Sequence, residues 1–421
     1  MDTPQQPPLT AQQTAARTPD AILKISFIEF VALTAALMAL TALSIDIMLP
    51  ALPQIGSALG VTSENDRQQI VIIYMVGFAA GQLVYGPLSD RLGRKPVLLA
   101  GLVLFIAGSF AALLSQSFTT LLGARLIQGL GAASPRVIAI AVVRDLYSGR
   151  HMARVMSLAM MVFILIPVLA PSVGQGLMHI GDWRLTFDVL LILGVAVAVW
   201  AGLRLPETAH RITQHTCAPT LLASFKEAVL CRQTMAYGIA TGLMFGCLLS
   251  YVASSQQVFT EVFDAGDNFP LLFGAVASVM AVASFLNANL VERLGMRRVA
   301  HTALVIFIAV ALALALASLT GHASLSVFAI LVASAFFCFG LIAPNFNTLA
   351  MEQQGENAGM ASSVIGALGT AIGASAGGII GAAFDGTVLP LALGFAGCSV
   401  MAGLIVVAFE GPDGLFGRNR P

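Results

Sequence analysis

Twelve apolar stretches recur along the chain, at roughly 27–50, 67–88, 96–115, 118–144, 152–178, 183–204, 233–258, 268–290, 298–319, 324–350, 358–384 and 388–409. Each is close to the ~20 residues that a helix needs to cross a bilayer. Hydrocarbon offers no water to backbone N–H and C=O groups, so runs of this length span as α-helices, which satisfy those groups internally. Composition agrees: 57% of residues are hydrophobic and only 10% charged, with a mean hydropathy of +0.88, whereas soluble domains are roughly a quarter charged. The expected fold class is therefore an all-α integral membrane protein of twelve transmembrane helices.

The second and third stretches are joined by a charged hinge of about ten residues, Gly86-Pro87-Leu88-Ser89-Asp90-Arg91-Leu92-Gly93-Arg94-Lys95. Gly93 is free to take positive φ, and Pro96 suits the start of the next helix. The device returns as Glu292-Arg293-Leu294-Gly295-Met296-Arg297-Arg298, where Glu292, Arg293, Leu294 and Gly295 align with Asp90, Arg91, Leu92 and Gly93 at an ungapped offset of 202, near half of 421. Such a repeat predicts two pseudo-symmetric six-helix bundles.

Basic residues fix the expected orientation, since cytoplasmic loops carry the Lys and Arg excess. With the N-terminus inside, Arg91, Arg94, Lys95, Arg144, Arg150, Arg204, Arg293, Arg297 and Arg298 all fall inside, while only Arg67 and Arg184 fall outside. Both termini are expected in the cytoplasm. The domains read as a disordered cytoplasmic tail (1–26), an N-terminal bundle (27–205), a cytoplasmic linker (206–231), a C-terminal bundle (232–410) and a second tail (411–421). In the linker, Leu221, Leu222, Phe225, Val229 and Leu230 oppose Lys226 and Glu227, the pattern of a short helix on the inner membrane surface. Glycines 369, 373, 377, 378 and 381 crowd the eleventh span and predict close helix packing or sliding there.

Net charge is zero and the basic residues form short loop clusters, which argues against nucleic acid as a partner. The cysteines, Cys217, Cys231, Cys247, Cys338 and Cys398, show neither C-x-x-C spacing nor a nearby His, so neither metal nor disulfide is expected. The histidines lie in loops or at span ends and no H-E-x-x-H occurs, which argues against a membrane-embedded enzyme.

Ionisable residues inside a bilayer are costly and mark function by default. Asp46, late in the first span, and Arg125, early in the fourth, lie 17 residues after Glu29 and 19 residues before Arg144. At ~1.5 Å per residue they sit at about one depth, where an ion pair would satisfy both charges. Arg125, Gln128, Gly129, Ala132 and Arg136 share one helix face. Asp188, in the sixth span, is a rival carboxylate at similar depth. Tyr74, Phe78, Gln128, Arg136, Tyr251 and Phe346 are candidates to line an apolar substrate cavity. Pro167, Pro171, Gly174 and Gly176 predict a kinked fifth span.

The hinge G-x-L-x-D-R-x-G-R-K, carried by Gly86, Leu88, Asp90, Arg91, Gly93, Arg94 and Lys95, resembles the loop signature of the major facilitator superfamily. Arg125-x-x-Gln128-Gly129-x-Gly131-Ala132-Ala133 looks like the fourth-helix motif of its drug transporters, where the Arg is linked to proton coupling. Ala170-Pro171-Ser172-Val173-Gly174-Gln175 resembles the fifth-helix motif of antiporters, with Gln175 where a second Gly is usual. With Asp46-Ile47-Met48-Leu49-Pro50-Ala51-Leu52-Pro53 and Val143-Arg144-Asp145-Leu146-Tyr147, the set is most similar to the Bcr/CflA branch of drug:proton antiporters.

That resemblance implies multidrug efflux from a bacterial inner membrane, by alternating access, of small amphipathic drug-like compounds against protons. Asp46, Arg125 and Asp188 would serve proton coupling. Gly86, Asp90, Arg91, Gly93, Arg94, Pro171, Gly174, Glu292, Arg293 and Gly295 would serve gating. It implies no cofactor beyond the proton gradient, and a monomer in the lipid bilayer. Proton-coupled uptake or export of an endogenous metabolite or sugar is the alternative, and predicts several polar groups at mid-membrane. Apart from Asn287, Asn289, Asn345 and Asn347, these are scarce.

Overall fold

A computed structural model of the chain describes residues 25–147, 149–208, 221–354 and 358–411. Among them are 12 helices long and apolar enough to cross a membrane and no strand. They are α1 (Phe27–Asp46), α2 (Gln69–Leu92), α3 (Arg94–Leu113), α4 (Phe118–Leu146), α5 (Gly149–Ile180) and α6 (Arg184–Arg204), then α7 (Arg232–Gln257), α8 (Phe269–Leu294), α9 (Met296–Leu319), α10 (Leu325–Met351), α11 (Ala358–Ala382) and α12 (Leu389–Glu410). Serine caps start three of them: Ser26 accepts from the Glu29 N–H, Ser117 forms a capping box with Thr120, and Ser324 accepts from the Val327 N–H.

The hinges are tighter than their composition suggests. Instead of a ten-residue loop, α2 stays helical through Pro87 to Leu92 and α3 begins at Arg94, so a single residue, Gly93 at φ 101°, makes the turn. Gly295 does the same at φ 86° between α8 and α9. A side chain is strained at such φ values, which is why each turn holds glycine. Helix α5 likewise runs unbroken through Pro167 and Pro171.

The halves repeat one packing scheme. In the first, α2 and α3 pack on α4, α1 on α5, and α3 on α6; in the second, α8 and α9 pack on α10, α7 on α11, and α9 on α12. The halves meet through α2 with α11 and α5 with α8, two contacts that the pseudo-twofold exchanges. Small residues permit the closest approaches: a Cβ on Gly77 of α2 would strike the Leu126 carbonyl of α4, and one on Gly129 of α4 would strike the Tyr74 carbonyl. The glycine row of α11 has the same use, with Gly373 and Gly377 against Phe245 and Leu249 of α7, and Gly378 and Gly381 against Ile72 and Gln68 across the interface.

The linker's expected surface helix is present at Leu221–Leu230, packed on α11 and α7. Residues 209–220, the first tail up to residue 24 and the second tail from residue 412 lie outside the described residues.

Candidate proton and substrate site

The first span breaks at Asp46. Helix α1 ends there, the chain turns at Ile47 and Met48, and a 3-10 turn (Leu49–Ala51) and a short helix (Leu52–Ala58) follow, each opened by a proline. The Asp46 residue is only 4% exposed. Gly174 of α5 lies against the Ile47 carbonyl, where a Cβ would overlap it, so α5 seats directly on the break.

Arg125 is fully buried on α4, and all three guanidinium nitrogens have acceptors. Nε donates to the Ile70 carbonyl at 3.2 Å, Nη2 to the Ser44 carbonyl at 3.1 Å, and Nη1 to Gln128 Oε1. The guanidinium lies 4.3 Å from the centre of the Tyr74 ring and 5.9 Å from that of Phe187. Gln128 Nε2 donates in turn to Ser109 Oγ at 2.7 Å, and the Tyr74 hydroxyl to the Thr41 carbonyl at 3.3 Å. An arginine keeps its charge, so carbonyl dipoles and aromatic faces must stabilise it here. These bonds tie α1, α2 and α3 to α4. Among the described residues no ion pair joins Arg125 to Asp46, although Ser44 and Asp46 are two residues apart on α1. The expected pair is absent from this state because carbonyls and Gln128 already saturate the arginine.

Asp188 is half-buried near the start of α6. Arg136, also half-buried, holds its guanidinium 5.2 Å from the Phe163 ring centre and 5.8 Å from that of Phe78. The two expected cavity residues of the second half pack inside that half. Tyr251 stacks on Phe273 at 5.5 Å and meets Phe336 edge-on at 5.0 Å, with a buried hydroxyl that finds no partner. Phe346 is fully buried against Tyr237 at 5.1 Å and His301 at 6.2 Å, so it fills core between α7 and α9.

Both hinges are clamped. Arg94 donates to Asp90 at 2.5 Å, Ser89 at 2.8 Å and Asp145 at 2.8 Å, while the N–H groups of Arg94 and Lys95 donate to the Glu207 carboxylate at 2.8 and 3.1 Å. A carboxylate at the start of α3 also suits the helix dipole. In the second half Arg297 donates to Glu352 at 2.8 Å and Glu410 at 3.1 Å, and Tyr237 donates to Glu410 at 2.6 Å. Arg91, Glu292 and Arg293 are exposed. Gly86 packs against Ser363 of α11, and Pro171 is buried in α5. Of the clamp partners, Asp145 belongs to the Val143–Tyr147 motif, whereas Glu207, Glu352 and Glu410 belong to none of the motifs. All four share a positional signal, a carboxylate at or just past the end of the fourth, sixth, tenth and twelfth apolar stretches.

At the end opposite the hinges, polar side chains bridge the halves. Asn65 Nδ2 donates to the carbonyls of Ala382 at 3.2 Å and Phe384 at 2.7 Å, Gln68 to Gln257 at 2.5 Å, and Arg67 lies 3.9 Å from Glu261. Nearer the hinges Thr370 donates to Gln82 at 3.2 Å. Among the described residues no cluster of three His, Cys, Asp or Glu could hold a metal.

The family model described as Major Facilitator Superfamily matches residues 34–378. The chain is 31% identical over 343 residues to the multidrug resistance protein MdtL of Escherichia fergusonii, covering 80% of this chain and 84% of that one. It is 29% identical over 372 residues to a bicyclomycin resistance protein homolog of Haemophilus influenzae, covering 85% and 90%. Among solved structures, the xylose transporter XylE of Escherichia coli, in a partially occluded inward-open conformation, superposes with a TM-score of 0.71 at 13% identity, over 91% of this chain and 97% of that one. This last likeness concerns the fold alone.

Proposed function

The chain belongs to the Major Facilitator Superfamily, a family of transporters rather than enzymes, and on that premise we propose that it exports small amphipathic drug-like compounds in exchange for protons. The hinge end faces the cytoplasm of a bacterial inner membrane, as the lysine and arginine excess at that end supports. On this reading both tails are cytoplasmic and the transporter acts as a monomer.

The observation that carries the reading is the arrangement at the break in α1. Asp46 is a buried carboxylate with no cation bonded to it among the described residues, while the neighbouring Arg125 is held by α1, α2 and α4 together. A buried carboxylate favours its neutral form, and a cation within ~4 to 6 Å favours the ionised one. Any motion that loosens Ser44 or Ile70 from Arg125 frees a donor for Asp46, so the two end states of the transporter hold the proton with different affinity. Coupling is that difference. The names of the relatives, multidrug and bicyclomycin resistance, support an exported drug as cargo. Sugar uptake has less support, since mid-span amides are few and Asn345 spends its Nδ2 on Asn287 and on the Leu341 carbonyl, each at 2.7 Å.

The test is efflux from proteoliposomes driven by an imposed pH gradient. Asp46→Asn should abolish gradient-driven export while dye binding stays measurable, and Asp188→Asn should have the milder effect. Full pH-dependent pumping by Asp46→Asn, with loss in Asp188→Asn, would assign the proton to Asp188 instead.

A further inference from the structure

Helix α4 carries a second arginine eleven residues beyond Arg125 and roughly 16 Å closer to the hinge end. The two are treated differently. Arg125 is fully buried with every nitrogen bonded, whereas Arg136 is half-buried and, among the described residues, has neither a hydrogen bond nor an ion pair. Its guanidinium is held only by the faces of Phe78 and Phe163. Phe78 belongs to α2 and Phe163 to α5, the two helices through which the first half meets the second. The cation therefore lies between the two helices of the first half that border the second.

Among the described residues no carboxylate pairs with Arg136, and near its start α5 carries the basic Arg150, His151 and Arg154. Helix α2 carries no charge from Gln68 to Ser89, α7 none from Gln233 to Thr260, α8 none from Phe269 to Val291, and α10 none from Leu325 to Met351. Asp46 and Asp188 belong to the level of Arg125. A guanidinium cannot shed its proton, and at membrane depth an arginine ordinarily faces a cavity and pairs with an anion. Two aromatic rings orient the fork and leave its N–H groups unspent.

We infer that the path between the halves selects amphipathic anions, compounds with a carboxylate or sulfonate on an aromatic or apolar body. The acid group accepts a bidentate pair of hydrogen bonds from Arg136, and the body lies along the half-buried Phe163, while the buried Phe78 backs the guanidinium. Cationic amphipaths meet a like charge and are rejected, so Arg136 sets specificity by repulsion as well as attraction. This rests on the export reading only in taking the space between the halves as the substrate path. Binding without a gradient tests it separately from proton coupling.

The experiment uses the purified full chain in detergent at neutral pH and two dyes with one ring skeleton, anionic fluorescein and cationic rhodamine 123, followed by fluorescence polarisation. The wild type should bind fluorescein at least tenfold more tightly than rhodamine 123. Arg136→Gln should lose at least tenfold for fluorescein and bind rhodamine 123 as well as before or better, and Arg136→Lys should fall between. A wild type that prefers the cation overturns the inference, as does an Arg136→Gln protein, monodisperse in gel filtration, that loses both dyes equally. If the variant aggregates, the wild-type preference alone decides.

Discussion

Arg297 lies between two carboxylates from different helices, Glu352 just past the end of α10 and Glu410 at the end of α12, and its side chain is 8% exposed. Glu410, 6% exposed, also accepts from Tyr237. Removing the cation leaves Glu410 buried without a counter-charge, and breaking a buried pair this way costs about 3 kcal/mol or more. Arg297→Ala should therefore lower the midpoint of thermal unfolding in detergent clearly, and adding Glu410→Gln should restore part of the loss. If the double variant melts where the sum of the single ones would place it, the two residues are not coupled. The register of this clamp explains why motif alignment did not find it. Arg297 aligns with Lys95, yet it does the work that Arg94 does in the first half. A one-residue shift changes which side chain a one-residue turn points inward, and partner choice across three helices leaves no trace in local spacing.

Helix α5 tests the same point one level up, because two of its neighbouring glycines have different surroundings. Gly174 touches the Ile47 carbonyl where α1 breaks, whereas a Cβ on Gly176 would meet nothing within 4 Å. The obstacle at Gly174 is backbone and cannot swing aside, so Gly174→Ala should cost about 1 to 3 kcal/mol in stability and depress transport by shifting α1 at Asp46. Gly176→Ala should be neutral or gain up to ~1 kcal/mol, since alanine is the better helix former. Equal effects of the two in thermal unfolding and dye efflux would mean that the α1–α5 seat has no special role. Gly174, expected to serve gating, packs inside the first half, and α5 reaches α8 elsewhere, through Val168 against Gly274. Spans were legible because hydrocarbon dictates their length and polarity, and the twelve apolar runs match α1 to α12 closely. The hinge was misjudged as loop because polar residues can extend a helix beyond the apolar layer, which is what Ser89 to Leu92 do.

The whole molecule alternates only if contacts at its two ends can be exchanged, and the described state holds the end opposite the hinges shut. Gln68 carries much of that closure: its amide bonds Gln257 at 2.5 Å and Ser254 at 3.4 Å across the interface, and Gly381 packs on it. Gln68 ends the 3-10 turn (Glu64–Gln68) that leads straight into α2, and two residues further on α2 presents the Ile70 carbonyl to Arg125. The candidate proton site and the far-end closure therefore pull on adjoining turns at the start of α2, and a change at Arg125 biases a two-state element rather than sending a signal along a wire. A hydrogen bond contributes a net ~1 kcal/mol, which moves a two-state equilibrium about fivefold. Gln68→Ala should thus enrich the state open at the far end by about that factor. Spin labels at the exposed positions Ser63→Cys and Asn268→Cys, one on each half, would report it as growth of the longer distance in pulsed electron spin resonance. Lowering the pH should shift the same distribution in wild type and leave it fixed in Asp46→Asn, because only a protonatable Asp46 lets proton binding choose between the states. An unchanged distance distribution in Gln68→Ala would place the closure in Asn65 and Arg67 instead, and an unabated pH response in Asp46→Asn would separate the gate from that carboxylate.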